Sequence, residues 1–334
     1  MNDEKRVLAD MPELLTLAPS PHVRRGVTTR HLMVDVLLAL APAAVFGVVA
    51  FGWRAAVILL LATGAAILAE YLAEKILHRP VTVSDCSAAV TGLLLGMNLP
   101  STVPFYVPVV GSVFAIVVVK QIFGGIGKNI MNPALAARVF LMLAWTAKMT
   151  KFVPAFAWMD GTDAVASATP LASLKTGASG GAVIDLFLGK CGGCIGEVSA
   201  LCLLLGGVYL LVRRVIAWQI PAAMLGTVAL LTLIFPRGDM GGVQFMASSL
   251  FSGGLMLGAI FMATDYVTSP VTAWGRVIYG AGCGALVVFL RYFSGYPEGV
   301  SFAILIMNAL VWYIELLTKP RVYGKGRGKE RTHG

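Results

Sequence analysis

The sequence predicts an all-α polytopic membrane protein. About ten transmembrane helices form two inverted five-helix repeats with a long outer loop between them. Three observations carry this. The 334 residues are 57% hydrophobic and 13% charged, with a mean hydropathy of +0.81, whereas a soluble domain carries about 25% charged residues. Apolar stretches of about 15–20 residues recur along the chain, each near the length that spans a bilayer. A ten-residue segment also recurs at the same place in each group of five stretches.

In chain order, residues 1–31 are polar and basic. They lack an apolar core followed by a cleavage site, so they read as a cytoplasmic tail and not as a secretory signal. Apolar runs bounded by charge, Gly or Pro place spans at Leu32–Phe51, Ala55–Ile76, Cys86–Leu99, Val103–Phe123 and Pro133–Ala147, the first repeat (32–147). The polar stretch 148–197 is the outer loop. Spans at Val198–Val212, Val215–Phe235, Phe245–Ala263, Val271–Leu290 and Val300–Leu317 make the second repeat (198–317), and 318–334 is a basic cytoplasmic tail.

Charge gives the bundle a direction. With the N-terminus inside, 18 of the 26 Lys and Arg residues fall on the inner side and seven on the outer, while Arg138 lies within span five. Cytoplasmic segments carry the basic excess, so both termini face the cytoplasm of a cell membrane. The basic tails lack the folded basic face with aromatic or polar readers that nucleic-acid binding needs, so no nucleic-acid partner is expected. Spans three and five are short, either as broken helices lining an interior site or because their ends extend beyond these bounds.

Ser87–Gly96 aligns without gaps to Ser249–Gly258, in spans three and eight. Gly92/Gly96 and Gly254/Gly258 are both GxxxG pairs, which let helix backbones approach closely. Five spans per repeat force the second half to enter from the opposite side, and such inverted pairs build a site or pathway at the interface of the halves. Solute channels share this plan.

Few ionisable residues fall within or beside the spans: Asp35, Glu70, Glu74, Asp85, Arg138, Asp265 and Glu315. Most lie near inner ends, where snorkelling to the headgroups suffices. Asp85 and Asp265 adjoin the Gly-rich repeat spans and are the candidates for an ion pathway. Cys191-Gly-Gly-Cys194 is half of a zinc or iron–sulfur site with no second half, open to a disulfide or to two free thiols at a helix start. The four His residues are scattered, so no metal site is expected.

Two inner loops are richer than connectors need. Gly124–Pro133 offers Lys128, Asn129 and Asn132. Ala263–Pro270 offers Thr264, Asp265 and Thr268. These are either tight turns with capping residues or groups that hold a ring or polar headgroup. In the outer loop, Thr169 reads as an N-cap and Pro170 as the first residue of a short helix over Leu171–Leu174.

Several runs, in order along nearly the whole chain, resemble the RnfD/NqrB family. They are Asp85 through Thr91-Gly92-Leu93-Leu94-Leu95 to Asn98-Leu99-Pro100, Gly127-Lys128-Asn129-Ile130-Met131-Asn132-Pro133-Ala134, Ser167-Ala168-Thr169-Pro170-Leu171, and Thr264-Asp265-Tyr266-Val267-Thr268-Ser269-Pro270. The short polar N-terminus resembles the RnfD branch. The resemblance implies a flavin-bearing subunit, inactive alone, of a complex that couples electron transfer between ferredoxin and NAD to Na+ or H+ translocation. It implies FMN bound covalently through its phosphate to Thr169, with Ser167, Ala168 and Pro170 beside the attachment, and a non-covalent riboflavin. It further implies the other Rnf subunits (RnfA, RnfB, RnfC, RnfE and RnfG) as partners, with an FMN transferase for attachment. The family's attachment pattern is close to Asp-x-x-[Ser/Thr]-Gly-Ala-Thr. This chain keeps Asp163, Ala168 and Thr169 but has Ala166 and Ser167 at the hydroxyl and glycine positions.

Overall fold

A computed structural model describes residues 28–159, 169–176, 181–238, 240–295 and 298–319. Most of both tails, and the Ser167 and Ala168 of the attachment step, lie outside the described residues. Those described form helices and turns without a strand. The helices are α1 (Thr29–Phe51), α2 (Trp53–Ile76), α3 (Ser87–Met97), α4 (Tyr106–Gln121), α5 (Pro133–Ala144), α6 (Thr146–Met149), α7 (Pro170–Lys175), α8 (Val183–Leu188), α9 (Ala200–Val212), α10 (Gln219–Ile234), α11 (Gly242–Phe251), α12 (Leu255–Met262), α13 (Ala273–Phe293) and α14 (Val300–Thr318).

Four of these, α1, α2, α13 and α14, are long and apolar enough to cross a membrane, and the bent pair α11/α12 makes a fifth. The molecule is therefore a multi-pass membrane protein. Helices α3, α4, α5, α9 and α10 are apolar but have only 10–17 residues. The expected shortness of spans three and five holds: α3 has 11 residues and α5 has 12, about 17 Å at 1.5 Å per residue.

Close helix contacts depend on glycine. At Gly92 a Cβ would come within 2.6 Å of the Ala62 carbonyl, so the first GxxxG pair seats α3 on α2. Gly280 and Gly284 form a further GxxxG pair that seats α13 on α10, where a Cβ would meet the Ile220 and Met224 carbonyls at 2.7 and 2.6 Å. The turn between α1 and α2 is a single residue, Gly52, whose φ of 77° is open to glycine without penalty.

The second repeat segment departs from expectation. Phe245–Ala263 reads as one span, yet the helix stops at Phe251 and restarts at Leu255 with a bend of 65°. Gly253 takes φ 67°, and the Gly253-Gly254 pair withdraws helix propensity from the middle of the run. The aligned first segment has an Ala-rich start and stays one helix. The two ten-residue segments thus share a sequence pattern but not a conformation.

Phe114–Gln121 within α4 and Gly258–Met262 within α12 are π-helical. Such wide turns are rare and occur mostly at functional sites. Both run toward the same cavity.

Candidate functional site

A cavity of about 400 Å³ lies where the N-terminal part of α1, the length of α3, the start of α5 and the Gly124–Pro133 and Ala263–Pro270 loops meet. That is within the ~300–1,000 Å³ of small-molecule and cofactor sites. Its apolar wall comes from Leu32, Met33, Val36, Val90, Leu94, Val215, Ile216 and Phe261, among others. Its polar groups are Ser87, Thr91, Lys120, Asn129, Asn132, Thr264 and Asp265. The two halves of the chain both contribute.

Local sequence sets each polar group. Asn132 caps α5, its Oδ1 accepting from the Ala134 and Leu135 amides, while its Nδ2 donates to the Met262 carbonyl at 3.2 Å. One side chain therefore starts α5 and fastens it to the end of α12. Asn129 donates to the Met131 carbonyl and Thr264 Oγ1 to the Ile260 carbonyl. The protein around Asp265 desolvates its carboxyl and raises its pKa, against a hydrogen bond from Thr268 Oγ1. Of the residues singled out in the sequence, Asn129, Asn132, Thr264 and Asp265 line the cavity. Lys128 is exposed, and Thr268 is buried just behind Asp265. Asp85 lies off the wall and accepts from the amide and hydroxyl of Ser87.

The cavity's cation is Lys120, which the charge pattern alone places among the inner basic residues. The π-helical stretch carries it inward, where it is 4% exposed, and its Nζ donates to Glu70 Oε1 and to Ser87 Oγ at 2.6 Å. Gln121 reaches both Glu70 and Glu74. Snorkelling therefore fails as the account of these carboxylates: Glu70 is 0% exposed and Glu74 is 2%, both turned into the bundle.

Thr169 behaves locally as its sequence implies. Its Oγ1 accepts from the Ala172 amide at 3.2 Å, Pro170 opens α7, and Leu171 and Leu174 bury that helix against the bundle. The Thr169 side chain is itself buried, at 6% exposure. Lys175 at the end of α7 donates to the Ser294 carbonyl, which ties this helix to the end of α13.

The model of the NQR2, RnfD, RnfE family matches residues 16–324, nearly the whole chain. The chain belongs to this family. Among its relatives is the D subunit of the Na(+)-translocating ferredoxin:NAD(+) oxidoreductase complex of Acetobacterium woodii, 46% identical over 314 residues, covering 93% of this chain and 95% of that protein. The D subunit of the proton-translocating ferredoxin:NAD(+) oxidoreductase complex of Clostridium ljungdahlii is 43% identical over 94% and 97%. The D subunit of the ion-translocating oxidoreductase complex of Halorhodospira halophila is 40% identical over 93% and 96%.

This family member also holds a second buried polar network, built from residues far apart in sequence. Arg138 on α5 is 2% exposed. Its Nη1 donates to Asn98 Oδ1 at 2.7 Å and Ser301 Oγ at 3.2 Å; its Nη2 serves Glu197 Oε1 at 3.0 Å and Glu298 Oε2. Cys194 Sγ is 3.6 Å from the same nitrogen. Arg138 and Cys194 stood out in the sequence, whereas Glu197 and Glu298 sit in connections where a carboxylate normally meets water. The paired cysteines, Cys191 and Cys194, are both free thiols. Burial pushes the Cys191 thiol up to about 11, so it is protonated and unreactive at neutral pH.

Proposed function

We propose that this protein is the RnfD component of an ion-translocating ferredoxin:NAD+ oxidoreductase complex, a flavin-bearing part of a translocase that has no activity alone. The observation that carries the reading is the 46% identity, over nearly the full length of both chains, to a D subunit named for that activity. The cavity adds chemistry of the right kind. An isoalloxazine ring has an apolar benzenoid edge and a polar pyrimidine edge, and the wall offers partners for both, Leu32, Val36, Val90 and Phe261 for the one and Asn129, Asn132, Thr264 and Lys120 for the other.

In this reading riboflavin occupies the cavity without a covalent bond, and FMN is attached through its phosphate to Thr169. A flavin supplies one- and two-electron chemistry, and the residues around it set its potential. The Asn129 and Asn132 amides and the Thr264 hydroxyl orient the polar edge. The Lys120 ammonium, held against Glu70, favours negative charge on the occupant. With a flavin bound, the apolar wall would keep water off the ring, so that charge would be felt strongly. Attachment at Thr169 would need its hydroxyl, buried at 6% exposure, to become reachable by the modifying enzyme.

The finer architecture belongs to the same proposal: ten spans in two inverted repeats, both termini cytoplasmic, and Thr169 on the outer face of the cell membrane. The cavity, lined by inner loops, then lies toward the cytoplasm. Partners are the other Rnf subunits, RnfA, RnfB, RnfC, RnfE and RnfG, together with the FMN transferase. Asp85 and Asp265 remain the proposed members of an ion pathway near the cavity. Denaturing gels of the chain, co-expressed with the transferase, test the attachment. A fluorescent flavin band at 35.3 kDa that vanishes in Thr169→Ala supports it, and a dark wild-type band overturns it. A solute-channel reading expects no bound flavin at all.

A further inference from the structure

We propose that Glu197 and Glu298, gathered under Arg138, form a binding site for one exchangeable monovalent cation, a proton or Na+, separate from the flavin cavity. The geometry is that of two buried carboxylates sharing one guanidinium nitrogen, with one carboxylate oxygen left over. The carboxylate oxygens of Glu197 and Glu298 and the Cys194 sulfur lie within 4.8 Å of one another, and all three residues are buried. Both carboxylates draw on the same nitrogen, Arg138 Nη2. The other oxygen of the first, Glu197 Oε2, is buried without a partner. A buried carboxylate oxygen left without a donor is costly, and two carboxylates this close hold one cation between them more readily than none.

Four further charged or titratable groups surround the pair: Arg138, Cys191, Cys194 and Arg291. Arg138 comes from α5 and Cys194 from the segment before α9. Arg291 comes from α13, but its Nη1 and Nη2 donate to the Ser249 and Ser252 carbonyls at the frayed end of α11. Oxygen donors of the kind a hard cation takes lie close by. The Asn98 amide oxygen and the Ser301 hydroxyl already contact Arg138, and the buried Ser252 hydroxyl in the nearby helix break has no partner. Gly254, in that break, leaves no room for a side chain beside Glu197 Oε1. Arg138 stays in place as the fixed counter-charge.

The inference rests on the ion-translocation reading, but its test does not need turnover. The intact complex in membranes is treated with dicyclohexylcarbodiimide, which modifies protonated carboxyls in apolar surroundings, and labelled peptides are identified by mass spectrometry. Labelling of Glu197 or Glu298 that Na+ slows about tenfold, and that K+ does not, assigns Na+. Labelling indifferent to Na+ that falls as pH rises assigns a proton. Neither residue labelling overturns the site and leaves an ion-pair network that only joins the halves. Glu197→Gln and Glu298→Gln give the second arm: the ions moved per electron fall about tenfold while ferredoxin-to-NAD+ electron transfer persists. Assembled variants with an unchanged ion-to-electron ratio also overturn the site. Loss of electron transfer itself, in wild-type complex, would instead strike the broader functional reading.

Discussion

At the scale of single residues, Lys120 and Thr169 each carry two duties that substitution can separate. Lys120→Met strands Glu70 as a buried, unpaired carboxylate, a change that costs about 3–5 kcal/mol. The double variant Lys120→Met with Glu70→Gln removes the charge and recovers most of that loss, as thermal unfolding in detergent would register. Because Lys120 faces the cavity, both variants are expected to lose non-covalent flavin even where stability returns. Thr169→Ala forfeits the α7 cap, about 1 kcal/mol, and the covalent flavin together. Thr169→Ser keeps a hydroxyl for both purposes, so its flavin fluorescence and melting temperature stay near wild type. A Ser variant that is stable yet dark would show that attachment needs more than a hydroxyl at this place.

At the scale of elements, the places of the apolar helices and much of the cavity's lining were legible in the sequence, but not the turns that aim the cavity's charge. Apolar length marked the places of the helices, and the two inner loops stood out because Asn, Thr and Asp are more than a connector needs. Lys120 went unread because a π-helical stretch leaves no signature in hydropathy; in a regular helix the same residue faces elsewhere. Lys120→Gln should remove the cation and leave the π-helical winding in place. Acid-extractable flavin in the purified complex should then fall while the Thr169-linked flavin stays. The helix break at Ser252–Gly254 was hidden for a related reason: it shares its glycine pattern with α3, where the same pattern serves close packing. The Arg138 network escaped because its carboxylates come from connections more than 50 residues away along the chain, and only folding brings them together.

At the scale of the whole molecule, the two halves meet around two polar interiors: the cavity with Lys120 and Glu70, and the network of Arg138, Glu197 and Glu298. In the proposed reading the first holds a flavin and the second the exchangeable cation. The proposed topology has a direct check. A cysteine introduced at Ser173, in α7, should react with a membrane-impermeant maleimide added from outside the cell, and reaction only in inverted vesicles would reverse the orientation. The most direct test of the central claim is peptide mass spectrometry of the assembled complex. Trypsin cuts after Lys151 and Lys175, releasing residues 152–175 with Thr169 inside a single peptide. The account predicts that this peptide carries the mass of an FMN phosphodiester localised to Thr169. The unmodified peptide, or an FMN localised to Ser167, would contradict it.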